Sequence, residues 1–165
     1  MSDRMMHPDF LQLQDIVFPA TVTLISGLQL VQMARRVGKL RLKLKIEYPT
    51  MTGDPLFERV LRAQQNSFEF HPIFLSSLWM SSLFFHQVPS SLMGIVYIYS
   101  RQKYIEGYSK DAESRLPGFK LGMKSMMVML AMSVAGIVTV TTRMYTGVDL
   151  AEKASGFIQR ALPWQ

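Results

Sequence analysis

The sequence contains no cysteine, and this absence excludes several classes of chemistry. A chain without cysteine forms no disulfide, no thiolate metal site and no cysteine nucleophile. Glycine-rich phosphate loops, serine nucleophile elbows and zinc signatures are also missing. The histidines are His7, His71 and His86. His71 and His86 fall about four turns apart on one predicted helix, too far to share a metal ion. We therefore expect no metal site.

Long stretches of the sequence also lack charge. No Asp, Glu, Lys or Arg occurs at 16–34, 70–100 or 125–142. A helix of about 20 apolar residues crosses a hydrocarbon layer of about 30 Å. The middle stretch is too long for one crossing, and its "HQVPSS" segment is typical of a tight turn between helices. The pattern predicts an all-α integral membrane four-helix bundle. The alternative is a soluble four-helix bundle with a large core.

These helices belong to a single predicted transmembrane domain that covers residues 1–165. We expect them at about 14–37, 57–86, 89–116 and 119–145, followed by a short C-terminal helix at about 148–161. The segment "YPTMTGDP" (48–55) is predicted to connect the first two helices. The segment "LPGF" (116–119) is predicted to separate the last two.

Positive charge is concentrated directly after the first uncharged stretch. The run "RRVGKLRLKLK" (35–45) lies there, and the whole chain has 18 Lys and Arg against 12 Asp and Glu. Lys and Arg near the ends of membrane helices favour the cytoplasmic face. We therefore expect the basic run and the connection between the third and fourth helices to face the cytosol, and we expect no nucleic-acid partner. The basic run also suits an electrostatic anchor for anionic lipid headgroups.

Two polar stripes border the uncharged stretches. Arg62, Asn66 and Glu69 have the spacing of residues on one face of a helix. A second set with helical spacing is assigned to the third predicted helix: Tyr97, Arg101, Tyr104, Tyr108 and Arg115. Charged groups at the border of a membrane usually face the bundle interior or a wet cavity. The pattern therefore predicts that two neighbouring helices present polar groups to each other.

The two stripes hold more positive than negative charge. One interpretation is that Glu69 pairs with Arg62 or Arg101 and joins two helices. One glutamate cannot balance all the arginines, because Arg59 and Arg115 add to them. The surplus predicts a bound anion, since a guanidinium suits carboxylates, while Glu69 can accept an ammonium group. Glutathione, with two carboxylates, one amine and a thiol, has this inventory.

Two longer segments resemble signatures of the membrane-associated proteins in eicosanoid and glutathione metabolism, the MAPEG family: "FERVLRAQQNSFEFHPIF" and "GIVYIYSRQKYIEGYS". The resemblance covers residues 37–118 and is strongest to the branch of type-2 microsomal glutathione transferases and leukotriene C synthases. It implies a homotrimer of four-span subunits in the endoplasmic reticulum or nuclear envelope membrane, with glutathione as co-substrate and binding sites between adjacent subunits. By position it implies a glutathione-binding set, whose last two members come from the neighbouring subunit: Arg62, Asn66, Glu69, Arg101, Tyr104, Tyr108, Arg41 and Gln64.

Arg115 matches the arginine that holds the sulfur as thiolate in this family. A thiol with a pKa of about 8.5 is mostly protonated at neutral pH, and the thiolate is the nucleophile, so a nearby guanidinium favours reaction. The resemblance implies conjugation of glutathione to lipophilic electrophiles, including a leukotriene epoxide, and reduction of lipid hydroperoxides. Tyr97 and Met127 are predicted to border the groove for the lipid substrate.

Three positions depart from the pattern of the leukotriene C synthases. Leu42 stands where they have an arginine, Phe70 where they have a tyrosine, and Met127 where they have a tryptophan. These departures favour a broader transferase. The alternative function is a non-catalytic lipid-binding scaffold resembling the family's lipoxygenase-activating protein, which lacks arginines at the positions of Arg62 and Arg115. A tetraspan packing or channel subunit is a third interpretation.

Overall fold

The computed structural model describes residues 13–148 of the chain. In this range the protein is all-α, with four long helices and no strand, which confirms the predicted fold class. The helices are α1 (Val17–Lys43), α2 (Pro55–Phe84), α3 (Gln87–Lys110) and α4 (Leu116–Thr146). A 3-10 turn at Leu13–Asp15 precedes α1. The predicted C-terminal helix at 148–161 lies outside the described residues from position 149 onward.

The start of α2 is set by its local sequence. Asp54 is the N-cap, and its carboxylate accepts hydrogen bonds from the backbone N–H groups of Leu56 at 2.7 Å and Phe57 at 3.4 Å. Pro55 occupies the first turn, where the helix needs no donor from it. Gly53 precedes the cap with φ 136°, a backbone conformation that favours glycine. The last residues of the predicted connection 48–55 therefore form the N-terminal cap of α2.

The connection between α3 and α4 differs from the prediction. The sequence predicts a third helix that continues to 116, but α3 ends at Lys110. It ends there because the Asp111 carboxylate accepts the backbone N–H groups of Glu113 and Ser114 and turns the chain. The "LPGF" segment is not the break, since Pro117 lies in the first turn of α4, where proline is well tolerated.

The bounds of α1 and α2 also differ from the prediction. α1 continues to Lys43, past the predicted end near 37, because residues 39–43 are good helix formers and the first left-handed residue is Lys45, with φ 54°. α2 ends at Phe84, before the predicted 86, because His86 is the N-cap of α3. Its Nδ1 accepts the backbone N–H of Val88 at 3.2 Å. The turn between α2 and α3 is therefore tighter than "HQVPSS" suggests.

The core lies along α2, α3 and α4, with α1 packed against it. The rings of Phe74 and Tyr97 stack at its centre, with centroids 4.1 Å apart. Met129 from α4 and Val22 from α1 close this cluster. A second cluster around the buried side chain of Tyr104 lies nearer the ends of the helices that carry the polar stripes.

α3 touches α4 and the connection that precedes it, backbone to backbone, at two glycines. A Cβ atom at Gly118 would overlap the backbone of Tyr104, and one at Gly107 would overlap the carbonyl group of Ser114. Only glycine permits such an approach of two helices. The contact fixes the start of α4 beside the polar stripe of α3.

The hydropathy of the helices is uneven. α1 and α4 are long and apolar enough to cross a membrane. α2 and α3 are also long, with 30 and 24 residues, but they contain many serines. Several of these serines are buried, among them Ser77, Ser81 and Ser90, and their hydroxyl groups donate to carbonyl groups of nearby residues. This pattern is typical of helices that face other helices. Four membrane crossings stay a prediction.

Candidate functional site

A cleft of about 390 Å³ opens between α2, α3 and the start of α4. We call it the arginine cleft. Among its lining residues are six of the predicted site residues: Arg62, Asn66, Glu69, Tyr104, Tyr108 and Arg115. The two polar stripes therefore meet in one cavity, although Tyr97 and Arg101 of the second stripe are buried and are not among its lining residues.

Arg115 lines the arginine cleft from a different helix than predicted. It is not on the third helix with the tyrosines, because α3 ends at Lys110 and Arg115 is the N-cap residue of α4. Its guanidinium carbon lies 4.8 Å from the centre of the Tyr108 ring, within cation–π range, and its Nη1 donates to the carbonyl group of Ala112. The connection between α3 and α4, together with Tyr108, holds this side chain at the mouth of the cleft.

Arg101 is the most buried charged group of the site, with 2% of its surface exposed. Its Nη1 donates to Oδ1 of Asn66 at 3.1 Å. Its guanidinium carbon lies 4.9 to 5.4 Å from the ring centres of Phe70, Tyr97 and Tyr104. Its Nε and Nη2 have no hydrogen-bond partner within residues 13–148. The three aromatic rings therefore supply most of the favourable contacts of this buried guanidinium.

The arginine cleft carries a surplus of positive charge. Arg62 and Arg115 line it together with Glu69, and the buried Arg101 donates a hydrogen bond to the lining residue Asn66. The nearest hydrogen bond of Arg62 is to Oε1 of Gln65, at 3.4 Å. In the described range, no cationic group lies within the 4.0 Å salt-bridge distance of the Glu69 carboxylate. The proposed internal pairing of Glu69 with Arg62 or Arg101 is therefore wrong for this chain.

Arg41 lies apart from the arginine cleft. It is buried, and its Nη1 donates to the carbonyl groups of Glu47 at 3.1 Å and Thr50 at 2.7 Å. Its guanidinium carbon lies 4.5 Å from the centre of the Tyr48 ring and 4.8 Å from that of Phe57. Within one chain Arg41 thus holds the connection between α1 and α2.

Gln64 is half-buried on α2 and is not among the residues that line the cleft. The resemblance to the MAPEG family implies that Arg41 and Gln64 serve the cleft of a neighbouring subunit, and this stays a prediction.

Tyr97 and Met127, predicted to border a lipid groove, do not share a surface of this chain. Tyr97 is buried in the core against Phe74. Met127 lies on the outer face of α4 with 59% of its surface exposed. Within one chain Tyr97 has the contacts of a packing residue, because the stacked rings leave it no open face toward a groove.

Three lining residues were not predicted, namely Gln65, Leu116 and Phe119. Gln65 follows Arg62 by three residues and precedes Glu69 by four, so helical spacing alone could have identified it. Phe119 packs edge-on against Phe70, with ring centroids 6.0 Å apart. Its position depends on where α4 begins, so no local signal could have identified it.

The loop that carries Arg115 is held by Asp111. Its Oδ2 accepts the hydroxyl group of Ser114, and its Oδ1 accepts the backbone N–H groups of Ser114 at 2.9 Å and Glu113 at 2.8 Å. The hydrogen bonds from Ser114, side chain first, lower the pKa of the Asp111 carboxyl, and the Glu113 N–H and the charge of Arg59 add to this. The carboxylate therefore stabilises the loop in its ionised form. In residues 13–148 no group of three or more acidic or histidine side chains is placed to hold a metal ion.

Comparison with known proteins adds independent information. Residues 19–135 match the profile of the MAPEG family. The chain is 42% identical to microsomal glutathione S-transferase 2 of Homo sapiens over 134 residues, which cover 81% of this chain and 91% of that protein. It is 39% identical to the Bos taurus protein of the same name over 138 residues, with 84% and 94% covered. It is 32% identical to leukotriene C4 synthase of Bos taurus over 123 residues, with 74% and 82% covered.

Proposed function

The chain belongs to the MAPEG family, as its sequence segments predict, and from this premise we propose that it is a membrane-bound glutathione transferase. It joins the sulfur of glutathione to lipophilic electrophiles that reach the protein through the bilayer. Relatives named as glutathione S-transferase and as leukotriene C4 synthase support this class of activity. A leukotriene epoxide is among the electrophiles that we propose. Lipid hydroperoxides are a second proposed class of substrate, which two glutathione molecules reduce to the alcohol and water while they are oxidised to glutathione disulfide.

The surplus of guanidinium groups around the arginine cleft carries the proposal. Glutathione has a net charge of minus one with a protonated thiol and minus two as thiolate. Among the lining residues, the two positive charges of Arg62 and Arg115 exceed the negative charge of Glu69 by one. The buried Arg101, which donates to the lining residue Asn66, adds a second positive charge. The charges of ligand and cleft are therefore complementary, and they match best when the sulfur has lost its proton.

The donors and acceptors of the arginine cleft suit the separate parts of glutathione. The guanidinium of Arg62 and that of the buried Arg101, which donates to the lining residue Asn66, suit carboxylates. The carboxylate of Glu69, which has no ion pair in residues 13–148, suits the amine. The hydroxyl groups of Tyr104 and Tyr108 suit peptide groups, since a phenol both donates and accepts. We propose these residues, with Arg62 and Asn66, as the glutathione-binding set.

Arg115 is the residue that we propose to hold the sulfur. The thiol proton passes to water, and the guanidinium stabilises the sulfur anion, since it is permanently charged and cannot take the proton itself. The sulfur then attacks an electrophilic carbon and a C–S bond forms. A halide leaves with its electron pair, or the C–O bond of an epoxide breaks and its oxygen takes a proton from water. Binding both reactants at the membrane border supplies proximity.

Assembly and location complete the proposal. We propose a homotrimer in the endoplasmic reticulum or nuclear envelope membrane, with four crossings per subunit. In such an assembly Arg41 and Gln64 of one subunit would face the arginine cleft of the next, and Met127 would line a groove between subunits. The exposed apolar side chains on α1 and α4 are available for contact with lipid or a neighbouring subunit.

The test is a pair of measurements on the purified protein in lipid. Glutathione is added first, and the absorbance of its thiolate is recorded against a matched blank. Turnover is then measured with a model aromatic halide and with the leukotriene epoxide side by side. We expect a thiolate band and turnover with both electrophiles, faster with the halide because of Leu42. A protein that binds fatty acid but gives neither signal would be the non-catalytic scaffold instead.

A further inference from the structure

A second cleft, of about 430 Å³, lies between α3 and α4 and shares no lining residue with the arginine cleft. We call it the lysine cleft. Lys103, Glu106 and Lys110 form its rim on α3, and Pro117 and Leu121 form its wall on α4. Nothing in the proposed transferase chemistry uses these groups.

The floor of the lysine cleft is backbone. Gly107 and Gly118 lie in its lining, and a Cβ atom would overlap the backbone of Ser114 at the first position and of Tyr104 at the second. Because these residues lack side chains, the two helices touch there and leave a groove above the contact. The cleft is thus a consequence of the same close approach that positions the start of α4.

The rim of the lysine cleft has one positive charge in surplus. Nζ of Lys103 lies 4.0 Å from Oε2 of Glu106. The other oxygen of that carboxylate accepts a hydrogen bond from Gln102 at 2.6 Å. Glu106 is therefore engaged on its own helix, and Lys110 has no ion pair within the described part of the chain. An anion between the ammonium groups of Lys103 and Lys110 would accept hydrogen bonds from both and balance the surplus charge.

An apolar strip continues the lysine cleft toward the membrane. Leu92, Ile95 and Tyr99 share the face of α3 that carries Lys103, because successive members are three or four residues apart. They are 55%, 53% and 54% exposed. All three fall in the uncharged stretch 70–100, so the strip lies at the depth of the hydrocarbon layer when α3 crosses the membrane as proposed above. Tyr99 marks the interface, where tyrosine is enriched.

We propose that the lysine cleft and its apolar strip form a binding site for an anionic phospholipid. The phosphate group binds between the ammonium groups of Lys103 and Lys110, and an acyl chain lies along Ile95 and Leu92. Charge complementarity selects the anionic headgroup, and the continuous apolar strip selects a lipid over a soluble phosphate. The site is separate from the arginine cleft, so it does not depend on the proposed transferase activity.

The test counts bound lipid. The full chain is reconstituted in nanodiscs of phosphatidylcholine with a minority of phosphatidylglycerol, released into mild detergent, and examined by native mass spectrometry. The variant K103Q/K110Q is compared with K120Q/K124Q, which loses the same charge from exposed positions of α4 that lie outside the basic run and line neither cleft. We expect enrichment of phosphatidylglycerol on the wild type, and a loss of roughly tenfold in K103Q/K110Q, because each ammonium group attracts anionic lipid. The control pair should retain most of the enrichment.

Three outcomes would overturn the proposal. They are equal loss in both double variants, absence of enrichment on the wild type, and displacement of the lipid by inorganic phosphate or glycerol phosphate at comparable concentration. Unfolding of the double variant is detected by circular dichroism, and K110Q alone then serves, since Lys110 has no ion pair to lose in residues 13–148. Failure of these experiments leaves glutathione turnover untouched, so the two proposals are tested separately.

Discussion

Replacing Arg115 by alanine tests the proposed chemistry most directly. The side chain is half-buried at the mouth of the arginine cleft, beside Tyr108 and at the N-cap of α4. The substitution removes one permanent positive charge and leaves Arg62, Asn66 and Glu69 on a different helix. We therefore expect a large loss of turnover at neutral pH and a modest loss of glutathione affinity.

The size of the effect follows from the charge and its exposure. A unit charge about 4 Å from the sulfur contributes about 4 kcal/mol at an effective dielectric constant of 20, which corresponds to about 3 pKa units. Arg115 is only half-buried, so solvent screening reduces this to roughly 1.5 units. The glutathione thiol would then have a pKa near ~7, compared with ~8.5 when free. At neutral pH about half of the bound glutathione is thiolate in the wild type, compared with about 3% in Arg115→Ala. The variant should therefore lose roughly 15-fold in kcat.

The assay is a profile of kcat against pH with a model aromatic halide at saturating glutathione. The rate rises as the thiol loses its proton, so in Arg115→Ala the rise should move upward by about 1.5 pH units, and the variant should approach the wild-type rate in alkali. Arg115→Lys keeps the charge and should keep the lower midpoint. A variant that loses amplitude at an unchanged midpoint would show that Arg115 positions a reactant and does not stabilise the thiolate. Unchanged turnover would refute the reasoning entirely.

The other predictions concern the loop, the amine contact and the packing of the helices. Asp111→Ala should lower turnover by loosening the loop, while Asp111→Asn keeps the Oδ1 acceptor and should lose less. The pKa of Asp111 is lower in the folded protein than its ordinary value of 3.8. Its carboxylate therefore stabilises the loop above pH 3.8, and this stabilisation is lost as the pH falls through the lower folded value. The thermal unfolding temperature of Asp111→Asn should not show this decrease in acid. Glu69→Gln should weaken glutathione binding about tenfold through loss of a charged hydrogen bond, measured by isothermal titration calorimetry. Gly118→Ala should lower the free energy of unfolding by about 1–3 kcal/mol, because its Cβ would overlap the backbone of Tyr104.

Each of these predictions has a matched control. If Asp111→Asn and Asp111→Ala lose the same activity, the Oδ1 hydrogen bonds do not hold the loop. A glutathione analogue without the amine should bind equally to the wild type and Glu69→Gln, and a remaining difference would contradict the amine contact. Gly38→Ala, with no atom within 4 Å of the added Cβ, should not destabilise the chain. Equal destabilisation by Gly38→Ala and Gly118→Ala would contradict the close approach of α3 and α4.

The sequence by itself determined the number of long helices and the members of the stripe on α2. Uncharged stretches of spanning length and a turn at "HQVPSS" lead to four long helices, and residues 13–148 form four. Arg62, Asn66 and Glu69 face one way because the helical repeat sets the relative direction of side chains on one helix. Charge counting likewise led to a surplus of positive charge, since the count is independent of geometry.

The tertiary structure decided how the stripes meet. Arg115 enters the arginine cleft from the start of α4, because Asp111 ends the previous helix and the Gly118 contact sets the approach of the two helices. Arg101 is enclosed by three aromatic rings, and Tyr97 is drawn into the core. Helical spacing cannot supply these facts, since it relates residues along one helix only. Relations between helices depend on where each helix ends and which faces pack, and long-range contacts determine both.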